Sequence, residues 1–148
     1  MASEPSPPES LPAIQNEHQE LLSLVKSIKR RLASSPWQDP MVPSLLDSLR
    51  EHLESHFEFE ESDDGFDHLV QKAPWVEPRV EALIAEHRKM LSSACELAAE
   101  ARSSDRTAPR WEQLKASFGA LEDELTVHEA KEHDLLQEVY TQDVGDKD

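Results

Sequence analysis

Residues 42–60 read VPSLLDSLREHLESHFEFE. Val42, Leu46, Leu49, Leu53, His56 and Glu60 follow one another in steps of four and three. That alternation keeps one stripe of a helix turned toward a neighbour, as in the seam of a bundle. The first four members of the stripe are apolar and the last two are polar. The segment therefore predicts a packed helix with a chemical task near its end.

Three other segments carry the same spacing. The first, about 12–34, places Ile14, His18, Leu21, Val25, Ile28 and Leu32 on its stripe. The third, about 77–103, has Val80, Leu83, His87, Met90, Ala94 and Leu97. The fourth, about 109–140, has Trp111, Leu114, Phe118, Leu121, Leu125, His128, Glu132, Leu135 and Val139. Leu22, Leu45, Ile84 and Leu91 widen the stripes to the face a globular bundle needs. Pro12 suits a helix start, and the breaks fall at Ser34 to Pro43, Asp63 to Gly65 with Pro74 and Pro78, and Ser103 to Pro109. The second segment thus spans about 42–62, and period-two alternation is absent. Connections of this length set neighbouring helices antiparallel. The expected fold is all-α, an up-down-up-down antiparallel four-helix bundle over 12–140, with a disordered tail at 1–11 and a flexible one at 141–148. Phe66, Leu69, Val70 and Trp75 predict a short helix covering the bundle end, and Gly119 marks a bend or a close backbone approach.

Composition narrows the partners. Fifteen Lys and Arg against 31 Asp and Glu leave a net charge of −16. So acidic a chain repels phosphate backbones and anionic bilayers, and the Arg30-Arg31 pair is too small a basic patch for nucleic acid. No run approaches the roughly 18–20 apolar residues of a membrane span. The stretch from Met1 to Ser10 has neither the basic start nor the apolar run of a secretory leader, so a cytoplasmic location is expected. The single cysteine, Cys95, excludes an internal disulfide and any Cys-built metal site; it lies off the stripe and about two turns from His87.

Six residues on the seams do not belong in an apolar core: His18, His56, Glu60, His87, His128 and Glu132. Every helix contributes one seam histidine, and two add a glutamate at i+4, about 6 Å along the same face. In an antiparallel bundle the start of the first and third helices and the end of the second and fourth share one level, so the six converge. A buried carboxylate left unpaired costs several kcal/mol, which a bound cation offsets. Imidazole with carboxylate, and no thiolate, suits iron, manganese or zinc. Two carboxylates among four histidines suit two metals bridged by each Glu, and facing helices of a bundle are a known place for such sites.

Four segments, taken in order, also carry a family resemblance: Asn16-Glu17-His18-Gln19-Glu20, His56-x3-Glu60 within His52 to Glu61, Glu86-His87-Arg88, and His128-x3-Glu132. Over about residues 12–140 the chain resembles the hemerythrin-like HHE cation-binding domains. The resemblance implies two iron ions in a non-haem di-iron centre, oxo- or hydroxo-bridged, whose partners are small oxidants such as dioxygen, peroxide or nitric oxide. Members bind or sense dioxygen, handle iron, or react with peroxide or nitric oxide. The family's oxygen carriers place two histidines, four residues apart, on the third helix. This chain has only His87 there, with Leu83 and Leu91 at the positions four residues away. The carriers also use a carboxylate five residues after the last histidine, where this chain has His133; the stripe here favours Glu132 instead.

The leading expectation is therefore a soluble di-iron protein that binds or reacts with a small oxidant. A catalytic form would decompose peroxide or reduce oxygen or nitric oxide. The alternatives are an oxygen- or iron-binding or sensing module without turnover, with a separate redox or signalling partner, and a zinc or manganese structural bundle. His52 and His133 flank the seam and are expected outside the ligand set, and His68 is expected facing solvent or capping the site end. Glu58, Glu61 and Glu86 neighbour the candidate ligands but fall off the stripes, so most of them read as surface charges, and Tyr140, near the site end of the fourth helix, reads first as a packing residue and only second as a hydrogen-bond donor to the site.

Overall fold

The computed structural model describes residues 7–34, 39–103 and 107–146, with side chains described for 18–33, 39–103 and 107–141. The elements in chain order are α1 (Pro7–Ser34), α2 (Met41–Glu60), α3 (Phe66–Lys72), a 3-10 turn (Pro74–Val76), α4 (Glu77–Ala101) and α5 (Ala108–Asp146). Among the described residues there is no strand, and no helix is long and apolar enough to cross a membrane.

The four long helices fall where the stripes place them, but two ends differ. α1 begins at Pro7, inside the 1–11 stretch expected as a disordered tail, because a proline ring is pre-set for the first helical turn. α5 runs to Asp146, through most of the 141–148 stretch expected as flexible, because no proline interrupts it there. Residues 1–6 and 147–148, and the side chain of Ile14, lie outside the described residues. Asp39 starts α2: its Oδ1 accepts the Met41 N–H at 2.9 Å while Arg31 holds the same carboxylate at 3.3 Å.

α1 packs on α2 and α5, and α4 packs on the same two helices. Contacts along three of these pairings run in opposite chain directions. His18 meets Glu132 while Lys29 meets Glu122 between α1 and α5. His87 meets Glu61 while Arg102 meets Asp47 between α2 and α4. Arg79 meets Glu138 while Lys89 meets Glu124 between α4 and α5.

The apolar residues form two clusters. The larger gathers Leu21 to Leu32 of α1, Val42 to Phe57 of α2, Met90 to Ala98 of α4 and Leu114 to Leu125 of α5 from their stripes. The smaller joins Phe66 and Leu69 of α3 with Val76, Val80 and Leu83, and with Leu135, Leu136 and Val139. Along α4 the order is Leu83, His87, Met90, and along α5 it is Leu125, His128, Glu132, Leu135. The polar seam residues therefore form a layer between two apolar clusters.

The expected end-covering helix is α3, held close to α2 by Gly65. A Cβ on Gly65 would run into the carbonyl oxygens of Phe59 and Glu60, so only glycine lets the chain turn back so tightly there. Trp75 does not join the cover: it is 54% exposed, and Val76 fills the buried place beside it. Gly119 sits in open space inside α5, where a Cβ would meet no neighbour, so the close approach expected there is absent.

Candidate metal centre

The structure brings all six seam residues together. His56, Glu60, His87, His128 and Glu132 are each no more than 2% exposed, and His18 is partly exposed at the edge. His18 comes from α1, His56 and Glu60 from α2, His87 from α4, and His128 and Glu132 from α5. The i+4 spacing stacks each Glu under its own His: Glu60 Oε2 lies 3.1 Å from His56 Nε2, and Glu132 Oε2 lies 2.9 Å from His128 Nε2.

Each carboxylate also reaches across the bundle. Glu60 Oε1 lies 3.0 Å from His87 Nε2, and Glu132 Oε1 lies 3.1 Å from His18 Nε2. Two groups result, His18, His56, Glu60 and Glu132 on one side, and Glu60, His87, His128 and Glu132 on the other. Within each group the candidate ligand atoms all lie within 4.8 Å of one another. Both glutamates belong to both groups, with one oxygen toward each pair of histidines.

The donor atoms fit a cation. The Nε2 atoms of His18, His87 and His128, Oε1 of Glu60 and both carboxylate oxygens of Glu132 are buried and form no hydrogen bond among the described residues. The carboxylate oxygens sit close to the ring nitrogens, but off the direction in which a ring N–H would donate. Buried polar atoms are rarely left so. Six converging on one spot are what a His/carboxylate metal site presents when its ligand atoms aim at a common centre.

Electrostatics follow from the same geometry. Burial lowers the pKa of His18, but the Glu132 and Glu60 carboxylates outweigh it and hold the ring up to about 10. Burial likewise lowers His87, and Glu132, Glu60 and Glu61 raise it to about 9. Burial raises Glu132, yet His128, His18 and His87 hold it well below the usual carboxylate range. Without metal, protons on His18 and His87 offset part of the buried carboxylate charge.

The rings are fixed from outside. His87 Nδ1 lies 2.8 Å from Glu61 Oε2, and His128 Nδ1 lies 2.8 Å from Glu86 Oε1. Lys131 donates to the other Glu86 oxygen at 2.7 Å. Phe57 stacks on His87 with centroids 3.9 Å apart and planes 7° from parallel. Glu61 and Glu86 are thus not the plain surface charges expected from their off-stripe positions. Each adjoins a seam residue in sequence, Glu60 and His87, and that adjacency is the signal the sequence offers.

Glu129 escapes the sequence pattern altogether. It is 9% exposed, its Oε1 is buried without a hydrogen bond, and burial raises its pKa against the pull of His18 and His56. It falls off the α5 stripe, so periodicity gives no sign of it. Glu58 and His133 are exposed, His52 is half-buried outside both groups, and Cys95 is exposed and free. Tyr140 and His68 are half-buried at the α3 end of the site.

No curated protein and no solved structure matches the chain significantly. Residues 9–140 match the family model described as the hemerythrin HHE cation-binding domain. The match covers most of the chain and all six converging residues, and the chain belongs to the hemerythrin HHE cation-binding family.

Proposed function

We propose that this chain is a non-haem di-iron protein whose centre turns over a small oxidant, with peroxide as the favoured substrate. The His/Glu centre sits in an up-down-up-down arrangement of α1, α2, α4 and α5. The observation that carries the reading is the double membership of Glu60 and Glu132 in two four-residue groups. A mononuclear site needs one such group. Two groups sharing both carboxylates suit two ions bridged by Glu60 and Glu132, with His18 and His56 on one and His87 and His128 on the other.

The ligand count favours turnover. Two histidines and two bridging oxygens supply four protein bonds to each ion, roughly two short of six-coordination. Sites that keep positions open do chemistry, and those that close them are structural. Iron supplies Lewis acidity and one-electron steps when bound. The chain supplies the rest. Glu61 and Glu86 hold the His87 and His128 rings with Nε2 inward. Phe57 and Phe66 flank the His87 ring from either cluster and fix its plane. In the overall reaction one peroxide is oxidised to dioxygen and a second is reduced to two waters, so electrons and protons balance without an outside reductant.

The test is metal analysis with a visible spectrum of the protein as purified. Iron with near-ultraviolet absorption of an oxo-bridged pair supports the reading. Zinc or manganese in place of iron, with no such band, overturns it.

A further inference from the structure

The polar layer is not sealed on its α3 side. A cavity of about 20 Å³ lies between α3, the end of α2 and α5, and Glu60, Phe66, His68, Leu69, Glu132 and Leu136 are among its lining residues. A water needs roughly 10–15 Å³ on this measure, so the space suits one water or the outer end of a small ligand whose inner atom lies at the carboxylates. It opens on the two carboxylates that both histidine groups share.

Its apolar walls come from Phe66, Leu69 and Leu136, all nearly buried. Asp64, Tyr140 and His68 also line it from outside the metal layer; Asp64 is exposed, and His68 brings a buried ring nitrogen. His68 Nε2 is buried and forms no hydrogen bond among the described residues. A ring nitrogen removed from water without a partner is costly, and such atoms persist where a ligand completes them. An apolar diatomic would leave His68 unsatisfied. Peroxide both donates and accepts, and meets either tautomer of the ring.

We infer that this cavity is the binding pocket for a small hydrogen-bonding oxidant of the peroxide class, and that His68 holds the ligand's outer atom while Glu60 and Glu132 flank its inner end. The inference rests on the di-iron reading above and deepens it. His68 thus does more than cap the end of the bundle. It selects ligands that can hydrogen-bond over those that cannot, and it sits on α3, the one element of the site that is not a long bundle helix.

The test uses the full chain loaded with ferric iron, with azide as probe, for wild type, His68→Leu and His68→Gln. Iron per chain and azide affinity, read from the azide-to-iron absorption band, are measured separately. The account expects two irons in all three proteins. Azide binding weakens about tenfold in His68→Leu, as for loss of a hydrogen bond to a charged ligand, and stays within about threefold in His68→Gln, whose amide N–H replaces the ring donor. Equal azide affinity in wild type and His68→Leu, with two irons in each, overturns this inference and leaves the di-iron reading standing. Loss of iron from His68→Leu also overturns it, since His68 would then be holding metal. A wild type that takes up no iron pair overturns the di-iron reading itself, and this inference with it.

Discussion

His87 Nδ1 donates to Glu61 Oε2 across 2.8 Å, and that contact determines which ring nitrogen faces the centre. A carboxylate only accepts, so Nδ1 keeps a proton whether the ring is neutral or charged, and Nε2 is the nitrogen that faces the buried side and ligates once its own proton has left. His128 and Glu86 repeat the arrangement, with Lys131 holding Glu86 in turn. Outer carboxylates of this kind typically change metal affinity 10- to 100-fold. Glu61→Gln and Glu86→Gln should each weaken iron binding by roughly tenfold while leaving the helical content unchanged. Competition against a chelator of known affinity reads the change. Unaltered affinity in both variants would reduce these contacts to surface pairing.

Metal uptake should release protons. With His18 held up to about 10 and His87 up to about 9, the metal-free protein carries both rings protonated at pH 7. Ligation needs neutral imidazole. Loading at pH 7 should therefore expel about two protons from these rings, and affinity should fall as pH is lowered. Calorimetry in buffers of different ionisation enthalpy counts the protons, and a count near zero would contradict the ion pairing described.

The same shifts set the stability of the metal-free protein. Raised histidine pKa values stabilise the fold fully below the ordinary value near 6.5, and that contribution is lost as pH rises through about 9 to 10. Glu132 has the opposite sign: its depressed pKa stabilises above its ordinary range and the contribution is lost as pH falls through the depressed value. The melting temperature of chelator-treated protein should be highest at mildly acidic pH, between the ordinary carboxylate value of 4.5 and the ordinary histidine value of 6.5, and fall on both sides. A metal-free melting temperature still rising between pH 8 and 10 would sink this assignment.

Much of this is legible in the sequence because three-and-four spacing reports burial directly. Leu83, His87 and Met90 occupy consecutive seam positions, so the histidine has to sit in the core layer whatever its role. Glu61, Glu86 and Glu129 escape that logic: they lie one residue off a seam position and reach the site sideways, so their environment depends on how far neighbouring helices stand apart. α3 is legible as a short end-covering helix from Phe66, Leu69 and Val70, but where it sits is not. Seven residues are too few to display a stripe, and its seat depends on the close approach at Gly65. The start of α1 at Pro7 is hidden for another reason: proline is as much at home in a first helical turn as in a loop.

Helix α5 offers a choice between neighbours. Glu132 is 1% exposed among His18, His87 and His128, whereas His133 is exposed. Glu132→Ala should abolish pair loading and, by leaving buried cations without their carboxylate, destabilise the metal-free protein by about 3–5 kcal/mol. His133→Ala should change metal content and melting temperature little. The reverse pattern would move the ligand to position 133.

Open positions at the centre predict oxygen evolution from added peroxide by the iron-loaded protein, reduced at least a hundredfold in His87→Ala, which removes a proposed ligand. A wild type that is inert to peroxide and instead forms an oxygen adduct releasing its oxygen under vacuum would replace turnover by reversible carriage.

The sharing of Glu60 and Glu132 between two histidine pairs is the centre of the account, and iron stoichiometry tests it most directly. Metal-free protein is titrated anaerobically with ferrous iron, and bound iron per chain is counted after removal of excess. The account predicts two irons per wild-type chain, and loss of the pair when either Glu60 or Glu132 is replaced by Ala, since each serves both ions. Saturation of the wild type at one iron per chain, or a Glu60→Ala variant that still holds two, would contradict it.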